Sequence, residues 1–163
     1  MNFKIIINIV LILFCLQGCR QSKVCRKMPW NGITINAKGE AEIEVCSGQY
    51  YSRNFIKVEK GQEYSFEVVG HDEWTDLSIT CGAQGFHNKL LREKKKRVRG
   101  ENCFALCGTI CASEPNNFAI RCGLTRYVVP LDGNLHFFAN DHRARFWYRN
   151  NRGSIKLKIT RLK

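Results

Sequence analysis

Asn140-Asp141-His142-Arg143-Ala144-Arg145-Phe146-Trp147-Tyr148-Arg149-Asn150-Asn151-Arg152-Gly153 runs directly into Ser154-Ile155-Lys156-Leu157-Lys158-Ile159. The second part alternates apolar and polar side chains, the period of a strand with one buried face. The first part opens on Asn-Asp and closes on Asn-Asn-x-Gly, so a loop between two strands would collect several side-chain oxygens at one end of a sheet. Hard cations such as calcium take oxygen ligands of that kind. The same residues are also ordinary turn formers, and composition alone does not separate the two readings.

Working outward, the period of two recurs. Trp30-Asn31-Gly32-Ile33-Thr34-Ile35 reads as a short strand, Ala41-Glu42-Ile43-Glu44-Val45 as a half-buried one, and Ile56-Lys57-Val58 as another. Tyr64-Ser65-Phe66-Glu67-Val68 follows the turn at Lys60-Gly61, and Trp74 to Thr80 is a further strand candidate. Phe104-Ala105-Leu106 and Phe118-Ala119-Ile120 flank a turn at Glu114 to Asn117. Arg126 to Pro130 and Leu135 to Ala139 complete the series. No sustained helical periodicity appears after the N-terminus. Many short strands between glycine turns predict an all-β sandwich or barrel, and 163 residues with 44% hydrophobic content suffice for one domain with a real core.

The first residues have a different purpose. Met1 to Lys4 is a short basic head and Ile5 to Leu16 an apolar run too short for a permanent span, so residues 1–18 are expected to be a secretory signal peptide. Leu16-Gln17-Gly18-Cys19 has the form of a bacterial lipobox, which would place lipid on Cys19; ordinary cleavage near Gly18 is the other reading. Residues 19–29 form a polar tether, and 30–163 the folded domain. The protein is thus expected to be secreted, or a cell-envelope lipoprotein that meets the membrane only through its anchor.

Of the 9 cysteines, Cys15 leaves with the signal, and eight remain. In an exported chain these predict a sandwich stapled by disulfides. Lipid on Cys19 would leave an odd one, and the spacing does not fix the pairing. Cys103-x3-Cys107-x3-Cys111 would suggest a metal site only in a reducing compartment.

With 26 Lys and Arg against 14 Asp and Glu, the formal charge is +12. Such a surface steers toward anionic partners: phosphate backbones, anionic lipids, or acidic glycans. Arg92 to Arg99 carries six cations, either an anion-binding loop or a solvated connection between strands. No aromatics interleave with it, which together with export argues against nucleic acid.

From Trp30 onward, and most clearly from Asn102 to Leu162, the chain resembles the PA-I family of calcium-dependent, galactophilic lectins. The resemblance is carried by Phe104-Ala105-Leu106-Cys107-Gly108, by Gly123-Leu124-Thr125-Arg126-Tyr127-Val128-Val129-Pro130, by Gly133 through Asp141, and by Tyr148-Arg149-Asn150-Asn151-Arg152-Gly153-Ser154. It implies a jelly-roll-like β-sandwich and a calcium ion that ligates two sugar hydroxyls directly. By residue, it implies side-chain ligands Asp141, Asn150 and Asn151 with carbonyls from about Val58 and Trp147.

This chain departs from the pattern in three ways. Asp141 and Asn150 lie two residues further apart, so their loop must bulge. His142, Arg143, Arg145, Arg149 and Arg152 surround a site with one expected carboxylate and would oppose a divalent ion. The histidine and glutamine of the family's galactose contact have no counterpart, because a lysine-rich insertion occupies Phe86 to Asn102.

The leading expectation is an exported lectin that binds a galactose-type or acidic glycan, with Asp141, Asn150 and Trp147 at the sugar and Arg143 and Arg145 forking onto any acidic group. The alternative is a calcium-independent interaction protein that binds anionic glycans or surfaces through its basic loops. Catalysis is not expected: His71, His87, His136 and His142 lack metal-ligand spacing, and no nucleophile motif or phosphate loop is present. Asp72, Glu73 and Asp76 could serve as acid and base, but a solvated loop explains them as well.

Overall fold

The computed structural model describes residues 30–88 and 93–163. The expected signal peptide and tether, Cys19 and Cys25, and residues 89–92 of the charged run lie outside the described residues. Eleven strands follow in chain order: β1 Asn31–Ile33, β2 Glu40–Cys46, β3 Asn54–Val58, β4 Glu63–Val69, β5 Trp74–Asp76, β6 Ile79–Cys81, β7 Leu106–Ile110, β8 Phe118–Ala119, β9 Gly123–Val128, β10 Gly133–Ala139 and β11 Arg152–Arg161. One sheet has the order β1-β3-β10-β7-β8; the other has β6-β5-β11-β4-β9, with β2 on the free side of β11.

The alternation read from the sequence decides which side chains fill the space between the sheets. Ile43 and Val45 of β2, Tyr64 and Phe66 of β4, and Ile155, Leu157 and Ile159 of β11 meet Ile56, Leu106, Ile110, Leu135 and Phe137 of the facing sheet, all buried. Each such side chain withdrawn from water contributes about 1.5–3 kcal/mol. The charged residues between them, Glu42, Lys156 and Lys158, pair across β2 and β11 on the other face. The sandwich is therefore all-β, as the periodicity predicts.

Four expectations are corrected. Trp74 to Thr80 is not one strand but a hairpin, β5 and β6, closed by Leu77-Ser78. The turn lacks the glycine or asparagine that signals such a reversal. The run of cations is not merely solvated either, since Lys96 and Arg97 are buried. Nor is Phe104 to Leu106 a strand of its own, because β7 begins at Leu106 and continues through Cys107. The expected set of disulfide staples is not seen: Cys46 is disulfide-bonded, while Cys81, Cys103, Cys107, Cys111 and Cys122 stand as thiols.

Candidate functional site

The end of β10, the start of β11, the hairpin β5–β6 and the 3-10 turn Arg145–Asn150 meet at one rim. Gly153 makes this approach feasible. It has φ +83°, and a Cβ there would collide with the carbonyl of Glu73 at the start of β5, so only glycine lets β5 lie against β11. The register Arg152↔Thr75 and Gly153↔Trp74 follows. It carries Asp76, the last residue of β5, to the two asparagines that precede β11.

Four oxygen-bearing side chains converge there. The Asn150 amide donates from Nδ2 to Asp76 Oδ1 at 2.6 Å, and Asn151 Nδ2 donates to Asp141 Oδ2 at 3.0 Å. His142 N–H donates to Asp141 Oδ1 at 2.6 Å, and Asn151 Nδ2 also reaches the Ser47 carbonyl at 3.3 Å. Asp141 and Asn151 are buried. Burial lifts the Asp141 carboxyl above its ordinary range, against the hydrogen bonds from Asn151 and His142 that pull it down. Burial also lifts Asp76, and the Asp141 charge lifts it further. Two carboxylates that feel each other in a partly dry rim are a site that a cation would relieve.

A second observation tests that fit. Asn151 Oδ1 is buried and accepts no hydrogen bond, an arrangement that costs free energy unless something positive meets the oxygen. The donor set is two carboxylates and two amides, hard oxygens suited to calcium rather than to a transition metal. Among the described residues no group of three or more His, Cys, Asp or Glu could hold a metal, so the Cys103, Cys107 and Cys111 spacing builds no centre. Each amide turns an N–H toward its carboxylate, which holds the four side chains in one cluster. The residues present therefore fit a hard cation such as calcium, which Asp76, Asp141, Asn150 and Asn151 would hold.

The structure brings Asp141, Asn150 and Asn151 together but not Val58. Val58 pairs with Gly133, at the opposite end of β10 from Asp141, roughly 25 Å away at the rise of an extended chain. Trp147 is half exposed on the same 3-10 turn, three residues before Asn150 and so on the same face of it. It packs against His142 with ring centroids 5.7 Å apart. Tyr148, by contrast, is buried and donates to the Ala139 carbonyl at 2.8 Å, so it is unavailable for stacking on a ligand. Asp76 is the member that sequence reasoning missed. Its position at the end of a strand beside a turn was hidden once β5 and β6 were read as a single strand.

The arginines do not point their charge into the rim as expected. Arg143 donates from Nε to the Lys96 carbonyl at 3.1 Å and pairs with Glu114 at 3.5 Å. Arg145 lies 4.9 Å over the Tyr50 ring and Arg149 5.3 Å over Phe146. Asn140 is a clamp and not a ligand: it accepts from Val98 N–H at 2.9 Å and donates to the Val98 and Asn102 carbonyls. Those bonds hold the basic segment across the end of β10.

Arg97 is the centre of that segment. Its guanidinium lies 3.4 Å over Phe138, 4.0 Å over Tyr50 and 4.5 Å over Tyr51. It donates to the Tyr50 carbonyl at 2.6 Å and to the Tyr148 hydroxyl at 3.1 Å. Ring faces replace part of the hydration that burial removes. The Arg97 N–H also donates to the Asp141 carbonyl at 3.3 Å, which makes the cationic segment a brace for the rim.

With that geometry in hand, the chain can be set beside known proteins. It is similar to a solved structure described as "EclA N-terminal domain; PllA-like lectin", with 16% identity, 74% of this chain and 94% of that chain covered, and a TM-score of 0.53. The fold is lectin-like. At that identity the likeness shows the sandwich and no more. No family model and no curated protein sequence matches the chain. The sandwich thus rests on both periodicity and fold comparison and its likeness to a lectin on the comparison alone, whereas the rim chemistry rests on its own residues.

Proposed function

We propose that this is an exported, non-catalytic carbohydrate-binding protein, in which calcium held by Asp76, Asp141, Asn150 and Asn151 completes its shell with vicinal hydroxyls of a galactose-type sugar. The observation that carries the reading is the pairing of one buried and one half-buried carboxylate with two adjacent amides, one of whose oxygens, Asn151 Oδ1, is buried without a donor. A lectin-like fold supports it, as does the sequence resemblance to galactophilic lectins. The apolar run after Lys4 supports export. Asp76 supplies the second negative charge that the sequence comparison lacked, and the positions of Arg143, Arg145 and Arg149 reduce the repulsion expected from the loop. Trp147, exposed on the face of the 3-10 turn that carries Asn150, supplies a ring against which the apolar side of a sugar stacks.

A glycan array probed with the mature protein in calcium and in chelator tests this. Signal on terminal galactosides that vanishes with chelator is expected. Silence on neutral and acidic glycans in both conditions would remove the proposal.

A further inference from the structure

Beyond Trp147, the rim has an outer surface that neither the proposed cation nor the proposed sugar contact uses. Seven large hydrophobic side chains are exposed among the described residues, and four of them sit on the two turns that flank the site: Leu77 at 79% and Ile79 at 43% on the β5–β6 hairpin, Phe146 at 63% and Trp147 at 50% on the 3-10 turn. The hydrogen bond from Asn150 to Asp76 ties these turns together. Leu77 follows Asp76 directly, and Trp147 shares a face with Asn150.

Leu77 is the decisive member. It has φ +53° at the first position of a two-residue hairpin turn, where glycine is the unstrained choice. A leucine there pays backbone strain and packs against nothing, which indicates a use outside the fold. Arg145 and Arg149 are exposed on the 3-10 turn that the Asn150–Asp76 bond ties to this hairpin, in a chain of formal charge +12. Aliphatic side chains such as Leu77 and Ile79 gain nothing from a sulfated or acidic glycan, and they gain on entering an apolar phase. Apolar tips adjoining a turn with two exposed arginines match the interface of an anionic bilayer.

We propose that this face docks on anionic lipid surfaces, with Leu77, Ile79 and Phe146 entering the boundary between headgroups and acyl chains while Arg145 and Arg149 meet the lipid phosphates. The docking is independent of calcium and of sugar, and would bring the rim to saccharides displayed at a membrane.

The test is co-sedimentation of the mature chain, carrying Cys19→Ser so that no lipid is attached, with phosphatidylcholine vesicles with and without phosphatidylglycerol, all in chelator. Binding to the anionic vesicles alone, weakening as salt rises, is expected. Leu77→Gly relieves the strained turn, so its melting temperature should equal or exceed that of the parent while its vesicle binding falls about tenfold. Equal vesicle binding by Leu77→Gly and the parent would overturn the proposal. So would retention of a soluble sulfated polysaccharide without vesicle binding, which would assign the face to acidic glycans. A dimer that forms at the same concentrations and is abolished by Leu77→Gly would assign it to a second copy.

Discussion

Asp76 and Asp141 show how one residue's environment sets a property of the whole chain. Burial raises both carboxyls, and the charge of Asp141 adds to the rise at Asp76. Over the interval just above the ordinary carboxylate value of 3.8, the folded chain keeps protons that the unfolded chain has released. These two groups therefore make stability fall as pH rises through that interval, and leave it lowered at neutral pH. Glu63 has the opposite sign, since Arg126 holds it below its ordinary range, but it is a surface pair remote from the rim. Melting curves at several pH values should show that calcium stabilises most at neutral pH and progressively less on acidification, as protons compete for the same oxygens. Asp76→Asn should weaken that dependence. A calcium effect that does not change with pH would contradict the assignment of these carboxyls.

At the scale of elements, β2, β4 and β11 were legible because their alternation is strict, and β10 because it is a short, largely apolar run after a glycine turn. Ala41 to Val45, Tyr64 to Val68, Leu135 to Ala139 and Ser154 to Ile159 all fall within β2, β4, β10 and β11. Two elements were not legible, for different physical reasons. The β5–β6 turn uses Leu77 and Ser78 where turn chemistry favours glycine or asparagine, so the local signal was absent. The basic segment has the composition of a solvated loop, yet Arg97 is held by rings from Tyr50, Tyr51 and Phe138, which are remote from it in the chain. No local pattern encodes such a contact.

The joint between β5 and β11 was partly legible, as Gly153 was marked as a turn residue but not as the point of close approach. Gly153→Ala would force a Cβ into the Glu73 carbonyl at a left-handed φ of +83°, at a cost of roughly 1–3 kcal/mol. Urea unfolding should show that loss. Because β5 carries Asp76, calcium affinity should fall with it, and an unchanged midpoint with full calcium binding would contradict this account of the joint.

Across the whole molecule, the layer architecture followed from periodicity, and the meeting of Asp141 with Asn151 at one end of the sandwich followed from the Asn-Asp and Asn-Asn pattern. The partners of that pattern did not. Val58 was drawn in by resemblance although it lies at the far end of β10, and Asp76 entered only because strand pairing carries it there. The disulfide reading came from compartment and count, neither of which places two sulfurs together, and five cysteines stand as thiols.

The central claim is that Asp76, Asp141, Asn150 and Asn151 form one cation-holding rim on a lectin-like sandwich. Calorimetric titration of calcium into the chelator-stripped protein tests it most directly, with Asp76→Asn and Asn151→Ala run alongside. A single saturable site in the parent, weakened at least tenfold in both variants while the variants still unfold cooperatively, is the predicted result. No calcium heat in the parent, or undiminished binding in both variants, would contradict it.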